Sequence, residues 1–338
     1  MKGIVCQDVG HLTYEVALPE PELKDGYAIV QIRRIGICGT DYHAFAGKQP
    51  FFTYPRILGH ELAGTIVEIG DNDQGLAVGD QVSIIPYFHC GHCQACLQGK
   101  TNCCQSMQVF GVHVDGGMVE RVAVPISHLL NCNALTLDQA VLLEPLAIGA
   151  HAIARSGLQR GQTALVIGAG PIGLGIMALI HSMGAKAIAM DINDERLKFA
   201  ASWAKAEHLV NGLEQPEVRI AELTNGQFPS VVFDATGNAQ SMMNAFSYTS
   251  HGGVLVYVGL FKGDVVFHDP DFHRKELTLM GSRNATRADF ATVLSAMAAG
   301  HIDETRYITH RCSLEGMIEP FQQWLQPQTG VIKAVVEL

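Results

Sequence analysis

No run of this chain is apolar for long enough to cross a membrane. The longest candidate, ALVIGAGPIGLGIMALIHSMG, is interrupted by glycines and a proline and reads as a strand, a turn and a helix. The opening residues, MKGIVCQDVG, lack a basic stretch followed by an apolar one, so no secretion signal is expected and a cytoplasmic location is. Positive charge is scarce as well. Lys and Arg number 23 against 33 Asp and Glu, and the net charge of -10 argues against a nucleic-acid partner. Low-complexity segments and internal repeats are missing, and only 17% of residues are charged, which excludes a disordered or solenoid protein. What remains is a chain that is 48% hydrophobic and, at 338 residues, too long for one ordinary domain and suited to two.

The first 150 or so residues carry short β-type runs (YAIVQIRRI, GTIVEIG, QVSIIPY, VERVAVP) separated by turn residues, as in a β-rich domain. From Thr163 the pattern changes. TALVIG, KAIAMD, VVFDATG and GVLVYVG read as buried strands, alternating with helical runs such as PIGLGIMALIHSMG and DERLKFAASWA. That alternation predicts a parallel sheet with helices on both faces. A further amphipathic helix, ADFATVLSAMAAG, and a terminal strand, IKAVVEL, follow LTLMGS, and this last part is expected to return to the first domain.

Gly168-Ala-Gly170-Pro171-Ile172-Gly173 lies directly between the strand TALVI and a helix, the context a dinucleotide fingerprint requires. Gly168 permits the tight turn, Gly170 lets backbone approach a pyrophosphate, and Gly173 allows close helix–strand packing. Pro171 suits a first helical turn, and the helix start offers amide donors to phosphate. The next strand ends in Asp191, where a carboxylate can bond both ribose hydroxyls and repel a 2′-phosphate, favouring NAD over NADP. The plainer alternative makes Asp191 a helix cap in a nucleotide-free fold. Arg196 either flanks the adenine or forms a surface salt bridge.

The nine cysteines, in a reducing compartment, point to metal rather than disulfides. Cys90, Cys93, Cys96 and Cys104 are spaced to wrap one tetrahedral ion, and an all-thiolate set is a closed, structural zinc pattern. Cys103 competes for the fourth place, and an iron–sulfur cluster or reactive thiols are the alternatives. A second constellation is mixed: Cys38 in GICGTDYH, His60 and Glu61 in GHE, and Glu144 in LLEPLA. One sulfur, one nitrogen and up to two carboxylates form an open set of the kind catalytic zinc uses. Taken singly, Cys38 reads as a small buried residue and His60 as a satisfied polar one.

Together, GICGTDYH, LGHELAGTIVEIG, VGDQV, CGHCQACLQGKTNCC, LLEPLA, GAGPIG and Asp191 resemble, in order, the zinc-dependent medium-chain alcohol dehydrogenase superfamily in its polyol (sorbitol-type) branch. The resemblance implies an α/β fold: a GroES-like β-rich catalytic domain with a zinc lobe over 1–148, a Rossmann doubly wound parallel sheet over 149–283, and a return to the catalytic domain over 284–338. It implies NAD and two zinc ions per subunit, one catalytic and one structural. Its spacing favours Cys104 over Cys103. Cys38 and His60 match metal ligands, and Glu61 and Glu144 match carboxylates near the metal, members of the branch differing in which one binds. Thr40 matches the hydroxyl that takes the substrate's proton, His43 the outer end of a relay through the nicotinamide ribose, and Asp41 a group that orients His60. GGFAEY, usual in the family, is replaced by Gly116-Gly117-Met118-Val119-Glu120-Arg121.

GKQPFFTYPRILGHE, GVHVDGG, VGLFKGD, DPDFHRKE and MGSRNAT further resemble bacterial hexonate 5-dehydrogenases, implying a sugar acid such as L-galactonate, or a polyol, as substrate. A hexonate needs a cation for its carboxylate, and Arg283 with Asn284 are candidates, with Lys262 nearby in sequence. A cofactor phosphate or an acid is an equal partner for Arg283. Phe45, Phe51, Phe52, Tyr87 and Phe88 line a pocket or, more simply, pack in the core, and His113 and Asp115 are loop residues within reach of hydroxyls. Rival readings are a threonine or sugar-phosphate dehydrogenase, a zinc-free quinone reductase, and a non-enzymatic regulatory protein. The resemblance implies a homodimer or homotetramer joined through the sheet edge at GGVLVYVG.

Overall fold

The computed structural model describes residues 1–49 and 52–338; Phe51 lies outside the described residues. The chain forms two compact units, Met1–Glu144 with Glu304–Leu338, and Pro145–Asp303.

The first unit is built on a seven-stranded sheet whose centre is the long strand Tyr27–Ile37. That strand opens on the apolar run Ala28-Ile29-Val30, and Val30, Ile32 and Ile35 are fully buried. They pack with Leu62 and Ile66 of the neighbouring strand Glu61–Ile69, and with Val122, Val124 and Phe321. Burying each such side chain stabilises the unit by roughly 1.5–3 kcal/mol. Tyr27–Ile37 pairs antiparallel with Glu61–Ile69, with Arg121–Pro125 and with the final strand Lys333–Glu337. Ile308–Ser313 runs parallel to that last strand at the sheet edge. The chain therefore returns to its first unit, as the sequence suggests. The return begins at Glu304 rather than at residue 284.

Residues 284–303 stay with the second unit for a physical reason. Helix Arg287–Ala298 starts at Thr286, whose amide and hydroxyl donate to Asp289 Oδ2 at 2.7 Å each. The same carboxylate accepts from His151 Nδ1 at 2.9 Å, and Phe290 and Val293 are fully buried. The first boundary falls within helix Leu143–Ser156, directly after Glu144.

The second unit is a six-stranded parallel sheet. In chain order its strands are Thr163–Ile167, Lys186–Asp191, His208–Asn211, Val231–Asp234, Val254–Tyr257 and Thr278–Gly281. They lie third, second, first, fourth, fifth, sixth across the sheet. This is the dinucleotide-fold order, which puts a crevice at the carboxyl ends of the first and fourth strands. Val254–Tyr257, expected at the edge, is instead covered by Thr278–Gly281, which pairs with it in parallel. The edge belongs to Thr278–Gly281.

Candidate active site

Helix Gly39–Phe45 begins where the strand Tyr27–Ile37 ends, with Cys38 as its N-cap in an extended conformation (φ -106°, ψ 157°). Asp41, buried, holds the cap from inside: its Oδ2 accepts from Cys38 N at 2.9 Å and its Oδ1 from Gly59 N at 3.3 Å. One carboxylate thus ties together the two segments that bring in Cys38 and His60. Asp41 stands 3.7 Å from His60 Nδ1, a charge contact rather than a hydrogen bond. Thr40 is half-buried on the same helix and His43, three residues on, is exposed.

Donor atoms of Cys38, His60 and Glu61 all lie within 4.8 Å of one another. Glu61 opens its strand opposite Gly36, and any side chain at Gly36 would clash with the Glu61 carboxylate. Among the buried side-chain atoms with no hydrogen-bond partner is His60 Nδ1, whereas Glu61 Oε2 is paired with Lys333. Buried polar atoms are rarely left unpartnered, and an imidazole nitrogen left so beside a thiol and a carboxylate fits an ion. The electrostatics agree. Burial alone would push His60 down, yet Asp41 and Cys38 raise it well above the usual histidine value, so the pocket favours positive charge. Lys333, buried beneath Glu61, forms an ion pair with Glu61 Oε2; burial would lower its ammonium, but Glu61 and Cys38 hold it above the ordinary value.

Glu144 is not part of that close trio. Burial pushes its carboxyl up to about 7, against the charge of His60, and it accepts a short hydrogen bond from Tyr87 OH. The residues are those of an open mixed-donor zinc site, and they fit the ion.

The cysteine lobe gathers Cys90, Cys93, Cys96 and Cys104, again with sulfurs within 4.8 Å. Cys93 caps the short helix Gln94–Leu97, which brings Cys96 back to within 3.5 Å of Cys93 Sγ. Amides of Gln105 and Cys96 lower the Cys93 thiol to about 6, the thiolate a metal requires. Cys103 is exposed and stands outside the set. These four sulfurs fit a structural zinc.

In the second unit, Gly168 adopts φ +95°, and Gly173 packs so tightly that a side chain there would strike the Gly168 carbonyl. Gly170 caps helix Pro171–Ser182, with Pro171 and Ile172 forming its first turn. Asp191 closes the turn from the next strand: Oδ2 accepts from Ala169 N at 2.6 Å and Oδ1 from Asn193 N at 2.9 Å. A cavity of about 560 Å³ opens over these groups, lined by Gly168, Gly170, Asp191 and Arg196, with the apolar Ile192 and Leu213 at its mouth. That volume suits a nucleotide.

Residues 24–134 match the alcohol dehydrogenase GroES-like domain, and residues 171–299 the zinc-binding dehydrogenase domain. The chain is 41% identical to the L-galactonate-5-dehydrogenase of Escherichia coli K12, across 99% of this chain and 98% of that one. It is 30% identical to the sorbitol dehydrogenase of Bacillus subtilis 168, across 99% and 97%. An alcohol dehydrogenase of E. coli CFT073, solved with NADH, superposes with a TM-score of 0.92 at 28% identity, covering 100% and 99% of the two chains.

The chain belongs to the zinc-binding alcohol dehydrogenases.

It is a zinc-type, NAD-linked oxidoreductase acting on CH–OH groups, of GroES-like and Rossmann architecture. Within this dehydrogenase, several expected residues have other work. His113 Nδ1 accepts from Val109 N at 2.9 Å, and Asp115 Oδ1 from Ile57 N at 3.1 Å and Arg56 at 3.2 Å, so both hold loops. Phe45 packs on Phe321, Phe52 on Tyr54, and Phe88 on Phe110, all as core. Arg283 is exposed and Asn284 left-handed (φ 54°), in the loop after the edge strand. Neither lines the cofactor cavity. Arg196 does line it.

Three features escaped the sequence reading. Tyr87, expected to line a pocket or pack in the core, bonds Glu144. Lys333 looked like a strand residue. Thr236, Asn238 and Ser241 line the cofactor cavity, Thr236 and Ser241 both bonded to the buried Asp234. The run DATGN at a strand's carboxyl end carried that signal, since ligands gather at such ends.

Proposed function

We propose that this dehydrogenase oxidises a secondary hydroxyl of a six-carbon sugar acid, L-galactonate at its C5 position, with NAD as acceptor. The convergence of Cys38, His60 and Glu61 beside the helix carrying Thr40 supports the reaction. The 41% identity to the E. coli L-galactonate-5-dehydrogenase supports the substrate. Cys38, His60 and Glu61 hold the catalytic zinc, with Glu144 beside them, and Cys90, Cys93, Cys96 and Cys104 hold the structural one. Bound there, zinc would supply a Lewis acid for the substrate hydroxyl, and NAD would be the hydride acceptor. Thr40 Oγ1 accepts the hydroxyl proton as it gives up its own, and the exposed His43 on the same helix exchanges a proton with solvent. Asp41 keeps His60 in place by joining its segment to that of Cys38. Gly168, Gly170, Gly173 and the amides of the turn that Pro171 and Ile172 begin receive the pyrophosphate, and Asp191 the ribose hydroxyls. Arg283 takes the substrate carboxylate and Asn284 a hydroxyl.

The nine unbridged cysteines fit a reducing cytoplasm, and the unpaired side of Thr278–Gly281 fits a sheet-edge contact in a homodimer or homotetramer. No helix among the described residues is long and apolar enough to cross a membrane.

The test is NADH formation, followed by its own absorbance, with hexonates, pentonates, neutral polyols, sugar phosphates and L-threonine. Turnover of L-galactonate that stops on chelation and returns with zinc is expected. Turnover of polyols, threonine or sugar phosphates alone would retain the chemistry and remove the sugar-acid assignment, together with the role of Arg283.

A further inference from the structure

Lys333 opens a strand whose next three residues, Ala334, Val335 and Val336, are core, and is itself only 2% exposed. An ammonium is tolerated there only with a counter-charge and filled hydrogen bonds. It has both. Nζ donates to the Ile37 carbonyl at 3.1 Å and forms an ion pair with Glu61 Oε2. Ile37 immediately precedes Cys38, and Glu61 immediately follows His60. The same Oε2 lies against Gly36, where a side chain would displace it. One carboxylate oxygen is therefore confined between a bare backbone position and a fixed positive charge.

We propose that Lys333 is a positioning residue for the catalytic metal: by holding one oxygen of Glu61, it limits how fully that carboxylate closes on the ion and keeps a coordination position exchangeable for substrate. The inference rests on Cys38, His60 and Glu61 being the zinc ligands. A carboxylate that shares its charge with an ammonium gives less of it to the metal. The ion is then held less tightly and stays a stronger Lewis acid. Freed of Lys333, Glu61 would bind the ion with both oxygens and blunt it.

The test compares Lys333→Met with Lys333→Arg, which should move in opposite directions. In Lys333→Met, transfer of the catalytic zinc to a chelator should slow by about tenfold, with kcat falling more than KM changes. Cobalt substituted at that site should show weaker visible bands, as its coordination number rises. In Lys333→Arg the forked guanidinium should take both carboxylate oxygens and release zinc several-fold faster. A purely structural lysine would shift both variants the same way, or neither, and that result would overturn the proposal. Should Lys333→Met not fold, Lys333→Arg decides alone: release no faster than wild type overturns it. Metal content separates this inference from the site itself. Two zinc ions per wild-type chain and one in Cys38→Ala establish the site, whereas equal content in both would defeat the ligand assignment and this role with it.

Discussion

At the residue scale, Cys38 is a helix cap and, in the proposed site, also a sulfur donor. The roles separate in Cys38→Ser, because serine is a good N-cap but a poor zinc ligand. Turnover should fall by about a thousandfold, while the thermal midpoint moves by only a few degrees; kcat and a melting curve check this together. A midpoint that collapses with the activity would make Cys38 a structural residue first. Asp191 is the other informative single residue. Its oxygens already accept from Ala169 and Asn193, so they fix the glycine turn as well as face the cavity. Asp191→Asn keeps one acceptor and removes the charge that would repel a 2′-phosphate. The kcat/KM for NAD should drop about tenfold and that for NADP should rise, narrowing the preference from both sides. Unchanged ratios in paired NAD and NADP assays would count against the ribose role.

At the scale of elements, Asp138 joins strands that are far apart in sequence. It accepts from Arg34 Nε at 2.9 Å on the central strand and from Arg311 Nη2 at 2.6 Å on the edge strand. Burial would raise its carboxyl, but the bonds and charges of Arg311 and Arg34 outweigh this and hold it below the ordinary value. A lowered folded pKa means stabilisation that is complete above the unfolded carboxylate range, near 4, and disappears as pH falls through the lower folded value. Asp138→Asn should therefore melt below wild type at neutral pH, by about 1 kcal/mol since the cluster is partly exposed. The two melting curves should converge in acid. A constant offset from pH 7 to 3 would show that packing, not charge, sets the difference.

The elements also differ in how plainly the sequence displays them. Strands of the parallel sheet are covered on both faces, so TALVI and VVFD read as apolar runs and were legible. Ile308–Ser313 was not. It sits at a sheet edge with only Ile308 buried, and ITHRCS carries neither an apolar run nor a clean alternation. Helix Arg287–Ala298 was visible, but which unit it joins depends on His151, which lies 138 residues from its partner Asp289. Local patterning carries no such information. The clusters proposed to hold metal stand out in the sequence because their residue types and spacing are unusual, whereas Tyr87 and Lys333 have ordinary neighbours in sequence and reach the cluster only through register.

Across the whole molecule the two metal sites should behave differently. Four thiolates form a closed set, while the trio of Cys38, His60 and Glu61 leaves a position open. A chelator should first remove activity with little change in melting, and only later lower the melting temperature as the cysteine lobe loses its ion. Activity and thermal midpoint sampled over one time course check this, and a simultaneous loss would show that the sites are not independent.

The pairing of Lys333–Glu337 with Tyr27–Ile37 has a consequence for synthesis. Cys38, His60 and Glu61 are made early, but the strand that completes their sheet and supplies Lys333 is the last of its seven strands to be made. While translation continues, the central strand has an open side and the ligand cluster lacks its counter-charge. Prematurely terminated chains would carry every ligand and still not form a working enzyme.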